Sequence, residues 1–218
     1  MALEHFGLTL ITPPASEPVA LTDAKAWLRV DSDDTSQDTV ISYLITSARQ
    51  RCERVTCLAL ITQTWQLTLD RFPSTAALWD PSAAAGDYAR LGPISDPRAI
   101  KLMRPPLQSV TSIQYTDLNS TVQTLPAPGS SNPQYQVDTY SFPGRILPAY
   151  STFWPVALPV VNAVTVTYVA GYGSASAVPG EITQALFTHL AYCYRNREEQ
   201  DQEYLDSLFE PFATWAFR

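Results

Sequence analysis

The chain has only two histidines, His5 and His189, and three cysteines, Cys52, Cys57 and Cys193, in 218 residues. So few cysteines, odd in number and without a CxxC pair, exclude a disulfide framework and a thiolate zinc site, and leave unreactive thiols in a reducing compartment. Cys52 and Cys57 lie five apart on an expected helix and point in different directions, with no neighbouring histidine to activate either. The two histidines are far apart and form no convergent set for acid–base or nucleophilic work, so each reads as structural. Positive charge is also short. Fourteen Lys and Arg stand against 21 Asp and Glu, a formal net charge of -7, which argues against a broad electrostatic grip on nucleic acid or anionic membrane. No apolar run approaches the roughly 20 residues needed to cross a bilayer, and "MALEHFGLTLITPP" lacks the basic stretch and apolar core of a secretory leader. The expectation is a soluble chain made in the cytoplasm, with no membrane partner.

Phosphate and calcium motifs are missing too. "GYG" at 171–173 fits neither GxGxxG nor the P-loop pattern and reads as a hinge between strand and helix. "DSDDTSQDTVIS" carries Ser36 where a calcium loop needs Gly, and Ser42 where it needs Glu, so it reads as helix-capping sequence. No cofactor and no metal is expected, and an enzyme is the weakest class for want of reactive residues.

What is present divides by charge. Residues 21–57 carry eleven charged side chains and residues 180–218 carry ten, whereas residues 99–173 carry only Lys101, Arg104, Asp117, Asp138 and Arg145. The ends read helical and the middle β. Thr22 is the expected N-cap of a short helix with Ala24, Trp27 and Leu28 on its apolar face. Ile41, Leu44, Ile45, Ala48, Cys52 and Val55 follow at three- and four-residue spacing, with acids before them and Arg49, Arg51 and Arg54 toward the end, as the helix dipole favours. From Ile61 the period becomes two, the first expected strand. Residues 74–98 hold three prolines and two glycines without periodicity and read as a long loop. Further strands are expected at 100–104, 110–117, 121–125, 135–138, 145–148 and 163–170, with a turn at 117–120. Pro105 and Pro106, unable to donate to a ladder, end one strand and make an extended corner before the next begins at about Val110. Helical spacing returns at Ile182, Ala185, Leu186, His189, Leu190 and Cys193, with Pro179 suited to the first turn. A shorter helix is expected over 202–209, broken by Pro211.

Taken together, "LITPPASEPVALTDAKAWLRVD", "ALITQTWQLTLDRFP", "RPPLQSVTSIQYTD", "YQVDT", "PGRILPAY", "NAVTVTYVAGYG", "VPGEITQALFTHLAYCYRNRE" and "LFEPFATWAF" resemble the head–tail connector (adaptor, or head-completion) proteins of tailed bacteriophages, prophages and gene transfer agents. The resemblance runs in order along nearly the whole chain. It implies an α+β fold: a helical adaptor core from residues 1–60 (an extended arm and helices) and 174–218 (a helix and aromatic tail), with a small, mostly antiparallel β-lobe inserted at 61–173. It implies a structural virion protein of the neck at the capsid portal vertex, forming a dodecameric ring of about twelve identical subunits beneath the portal protein. The ring would extend the DNA channel, pass genomic DNA without specific binding, and join the capsid to the tail or the next neck (stopper) protein. No catalytic residue is implied.

Within that expectation, Phe209, Phe212, Trp215 and Phe217 either pack back on their own subunit or dock on the portal or a neighbour. Leu78, Trp79, Tyr88 and Leu91 of the long loop are candidates to reach an adjacent subunit. Asp31, Asp33, Asp34, Glu198, Glu199 and Asp201 are candidate lumen-facing acids, or equally outer solvated faces. A twelve-fold ring of this chain would carry about -84 in all, a sign that lets DNA slide. Tyr115, Tyr140, Phe142, Tyr150, Phe153 and Trp154, in the charge-poor middle, suit subunit contact, though some must fill the lobe's own core. The alternative reading is a β-lobe binding module that holds carbohydrate or another extended ligand on exposed aromatics.

Overall fold

A computed structural model describes residues 6–73, 96, 98–197 and 201–214. The fold is α+β, and the chain forms two compact units: Met1–Pro13 with Gln63–Ala170, and Pro14–Thr62 with Gly171–Arg218.

In the helical unit, α1 spans Leu21–Leu28, α2 Asp38–Thr56, α3 Gly180–Arg195 and α4 Gln202–Ser207. Thr22 is not the N-cap. Ala20 takes that place in extended geometry without a side-chain bond, and α1 closes at Arg29, whose left-handed φ of 59° brings its N–H to the Ala26 and Lys25 carbonyls. Likewise Pro179 is the N-cap of α3 and not part of its first turn. Apolar stripes at helical spacing account for the assembly. Ile41, Ile45, Ala48 and Cys52 of α2 meet Ile182, Leu186 and Leu190 of α3, with Val19, Ala24, Leu58 and Leu60 closing the core. An ionic seam runs along its edge: Arg49, buried, pairs with Glu17 at 2.7 Å and Glu53 at 2.9 Å, and Glu53 also accepts the Leu60 N–H at 3.0 Å. A buried guanidinium is tolerated because both neighbouring acids satisfy it. The shorter helix ends at Ser207, before the expected break, and Pro211 lies within a following 3-10 turn over Glu210–Phe212.

The β unit holds eight strands in two antiparallel sheets among the described residues. The larger has the order β1-β2-β8-β4-β5, from β1 (Phe6–Thr12), β2 (Gln63–Leu69), β8 (Val164–Ala170), β4 (Leu107–Thr116) and β5 (Val122–Thr124). The smaller has the order β3-β7-β6, from β3 (Ile100–Lys101), β7 (Arg145–Pro148) and β6 (Tyr135–Asp138). Central β8 alternates buried and half-buried residues throughout, with Val164, Val166, Tyr168 and Ala170 turned inward. The segment expected as an arm of the helical core is in fact β1, pairing with β2 from Phe6↔Leu69 to Thr12↔Thr64. The period-two signal is short, Leu8-Thr9-Leu10, and is broken at Ile11, where the register shifts, just before the prolines.

The double proline makes a tighter corner than expected. The Pro105–Pro106 peptide is cis, Arg104 has φ of 62°, and the strand resumes at once with Leu107. Two side chains fix the corner: the Tyr168 hydroxyl donates to the Met103 carbonyl at 2.9 Å, and the Arg104 guanidinium lies 5.2 Å above the Trp65 ring. The 117–120 turn is an Asp-built one, with Asp117 accepting from the N–H groups of Asn119 at 2.8 Å and Thr121 at 3.0 Å.

Candidate functional site

The candidate lumen acids Asp31, Asp33 and Asp34 are exposed in the turn before α2. That turn is built around a buried ammonium. Lys25 Nζ donates to the Ser32 carbonyl at 2.8 Å and the Asp34 carbonyl at 2.9 Å, and pairs with Asp38 at 2.9 Å. Lysine thus supplies in cis the cation that an acidic loop attracts. The Ser36 side chain and N–H hold the Asp34 carboxyl below the usual carboxylate range. Asp201 is also exposed and caps α4, accepting the Tyr204 N–H at 3.0 Å. Glu198 and Glu199 lie outside the described residues, as do Leu78, Trp79, Tyr88, Leu91, Trp215 and Phe217.

Phe209 corrects an expectation. It is fully buried in the helical unit's core, 5.7 Å from the His189 ring, and has no surface with which to dock on anything. The reason is that α4 is held against α2, where Arg51 donates to Asp206 at 2.8 Å and to the Gln202 side chain at 2.6 Å, which sets Phe209 over the core. Phe212 packs half-buried at the edge of the same core, and the Thr214 N–H donates to the Thr56 carbonyl at 3.0 Å, meeting an unpaired acceptor at the end of α2.

Three of the groups with most intrinsic reactivity, His189, Cys52 and Cys193, are buried, while Cys57 is half-buried. His189 is buried, and burial, with the Arg51 guanidinium nearby, lowers its pKa to about 4. Burial pushes the Cys52 thiol up to about 12, and the Cys193 thiol, 3.8 Å from His189 Nδ1, is also raised by burial. Thiols held protonated are poor nucleophiles. Among the described residues, no three His, Cys, Asp or Glu side chains are grouped to hold a metal ion, and no helix is long and apolar enough to cross a membrane.

The six aromatics expected at subunit contacts separate in the β unit. Trp154 stacks on Phe72 at 4.9 Å between ring centroids and donates its Nε1 hydrogen to the Arg98 carbonyl at 2.7 Å, while Tyr115 meets Phe72 edge-on at 5.7 Å. Those two are half-buried and pack on the buried Phe72. Tyr140 and Tyr150 are 100% and 96% exposed, and Phe142 and Phe153 are exposed as well. Sequence reading missed Leu10 and Ile11 on β1 and Val156, Val160 and Val161 before β8, all exposed. Single exposed apolar residues are ordinary, and only their crowding along a few segments is informative.

Among solved structures, a chain from the neck of an empty gene transfer agent (GTA) particle, reconstructed with C6 symmetry, superposes with a TM-score of 0.68 at 18% identity, covering 95% of each chain. A chain from the virion of a native GTA particle gives 0.66 at 19% identity, again over 95% of each. One from the neck of a native GTA particle, reconstructed with C12 symmetry, gives 0.57 at 19% identity over 95% of each. No protein-family model and no curated protein matches the chain. The chain therefore shares its fold, from end to end, with chains of GTA necks and virions.

Proposed function

We propose that this protein is a structural component of a phage-like virion neck, a ring-forming adaptor beneath the portal protein. The observation that carries the reading is the likeness to a GTA neck chain over 95% of both chains, helices and β unit alike. In this reading about twelve copies surround the DNA channel, one face meeting the portal and the other the tail or next neck protein. The work is mechanical: His189, Cys52 and Cys193 are spent on packing, and acids such as Asp31, Asp33, Asp34 and Asp201 stand in solvent, where repetition about an axis sums their field. Glu198 and Glu199 belong to the same proposed set. The test is a reconstruction of the particle neck. The expected result is density for this fold in a ring at the portal vertex; mature protein absent from purified particles, or turning over a small molecule, would end the proposal. A carbohydrate-binding β unit is the second reading, favoured by the full exposure of Tyr140 and Tyr150. Retention on polysaccharide by protein that takes no part in particles would select it.

A further inference from the structure

The segment between β7 and β8 is pinned from behind and bare in front. Trp154 is stacked on Phe72 and bonded to the Arg98 carbonyl, the Leu158 N–H donates to the Thr116 carbonyl at 2.9 Å, and the Asn162 N–H donates to the Asp70 carboxylate at 2.8 Å. Val156, Val160 and Val161 are exposed between these anchors, and Tyr150 and Phe153 are exposed just before them, after an Ala149 N–H that donates to the Gln134 carbonyl at 3.0 Å. An apolar surface already held in place loses little conformational entropy when something covers it, so covering it is favourable where covering a loose loop would not be.

The chemistry of the cover follows from charge. No Asp, Glu, Lys, Arg or His occurs between Arg145 and Glu181. Such a surface is covered without stranding charges only by another that is uncharged. This chain carries one: residues 6–16, "FGLTLITPPAS", have no charge, and β1 shows Leu10 and Ile11 on an edge strand whose partner among the described residues is β2 alone. Uncharged apolar edges are the ones proteins protect. Within one copy the exposed pair Leu10 and Ile11 lies away from the segment's anchor at Asp70, although Phe6, at the other end of β1, pairs with Leu69 beside that anchor. The segment is tied to Asp70, just past the Leu69 end of β2, whereas Leu10 pairs with Trp65, five residues back and roughly 16 Å along the strand. Two different uncharged patches on one chain can make a head-to-tail contact, which forms a ring when its rotation closes about an axis.

We infer that the 149–161 segment of one copy packs on the β1 edge of the next copy around the ring, an inference that rests on the neck reading above. The test places the photo-crosslinker p-benzoylphenylalanine at Phe153 or at Val156 in full-length chain and illuminates purified particles. The expected product is a homodimer of twice the chain mass whose crosslinked peptides join the probe to residues 1–25, and Ile11→Asp should cut its yield at least about tenfold by setting a charge in the contact. Crosslinks to the portal, to another neck protein or to a different region of this chain, or no homodimer from either position, would overturn the inference while leaving the neck reading standing. Absence of the chain from particles would overturn both.

Discussion

At the scale of single residues, the helical unit contains a buried histidine whose protonation opposes folding. The unfolded His189 takes up a proton near pH 6.5, whereas the folded side chain, buried beside the Arg51 guanidinium, does so only near 4. Between those values the unfolded chain binds more protons, so stability falls as the pH is lowered from about 6.5 and the loss is complete below about 4, amounting to about 3 kcal/mol for this difference. Asp138 acts lower on the scale. Hydrogen bonds from Ser141, with help from Arg145, lower its pKa to about 2, so its stabilising effect is present above 3.8 and lost on the way to 2. Denaturant unfolding at pH 7.0 and 4.5 should show the expected loss, and His189→Gln should flatten the dependence in that window. An equal slope in both proteins would mean that another group is responsible.

At the scale of elements, the sequence was most legible where the repeat was long. The α2 and α3 stripes and the alternation of β8 are readable because one buried face imposes one period over two turns or more. Short elements were not: β1 is seven residues set against prolines, β3 is two, and the caps of α1 and α3 lack the side-chain bonds that give caps their signature. The glycine hinge after β8 was legible, and its two glycines are not equivalent. Both have left-handed φ, 121° at Gly171 and 115° at Gly173, but a Cβ at Gly171 would strike the Ile61 carbonyl oxygen, whereas one at Gly173 meets only Ala177 Cβ at 3.9 Å. Gly173→Ala should therefore cost about 1 kcal/mol of backbone strain and Gly171→Ala about 2 kcal/mol or more, measured by denaturant unfolding. Equal costs would show that the contact with Ile61 relaxes freely.

At the scale of the whole molecule, the aromatic tail is two things. Its first half belongs to the helical unit, with Phe209 in the core and Thr214 bonded to the end of α2, so cutting the chain after Glu210 would remove packing together with any docking surface. Deleting only residues 215–218 separates the roles. If Trp215 and Phe217 dock on the portal or an adjacent subunit, the shortened chain should melt within about 2 °C of the full one, since it keeps every described core contact, and should fail to join heads to tails. Infectious particles at normal yield would remove the tail from the assembly scheme.

The sequence by itself determined the longer helices and strands from α1 onward, their order, and the charge-poor middle between two charged, helical ends, because periodicity and charge are local properties that survive without a fold. It also left the candidate residues undivided. Only the tertiary structure decided that Phe209 is core, that Trp154 and Tyr115 pack half-buried on Phe72 while Tyr150 and Phe153 face out, and that Lys25 binds the carbonyls of the acidic turn and pairs with Asp38. The physical reason is that aromatic side chains are equally suited to a core and to an interface, and which of the two they occupy depends on what the rest of the chain brings against them.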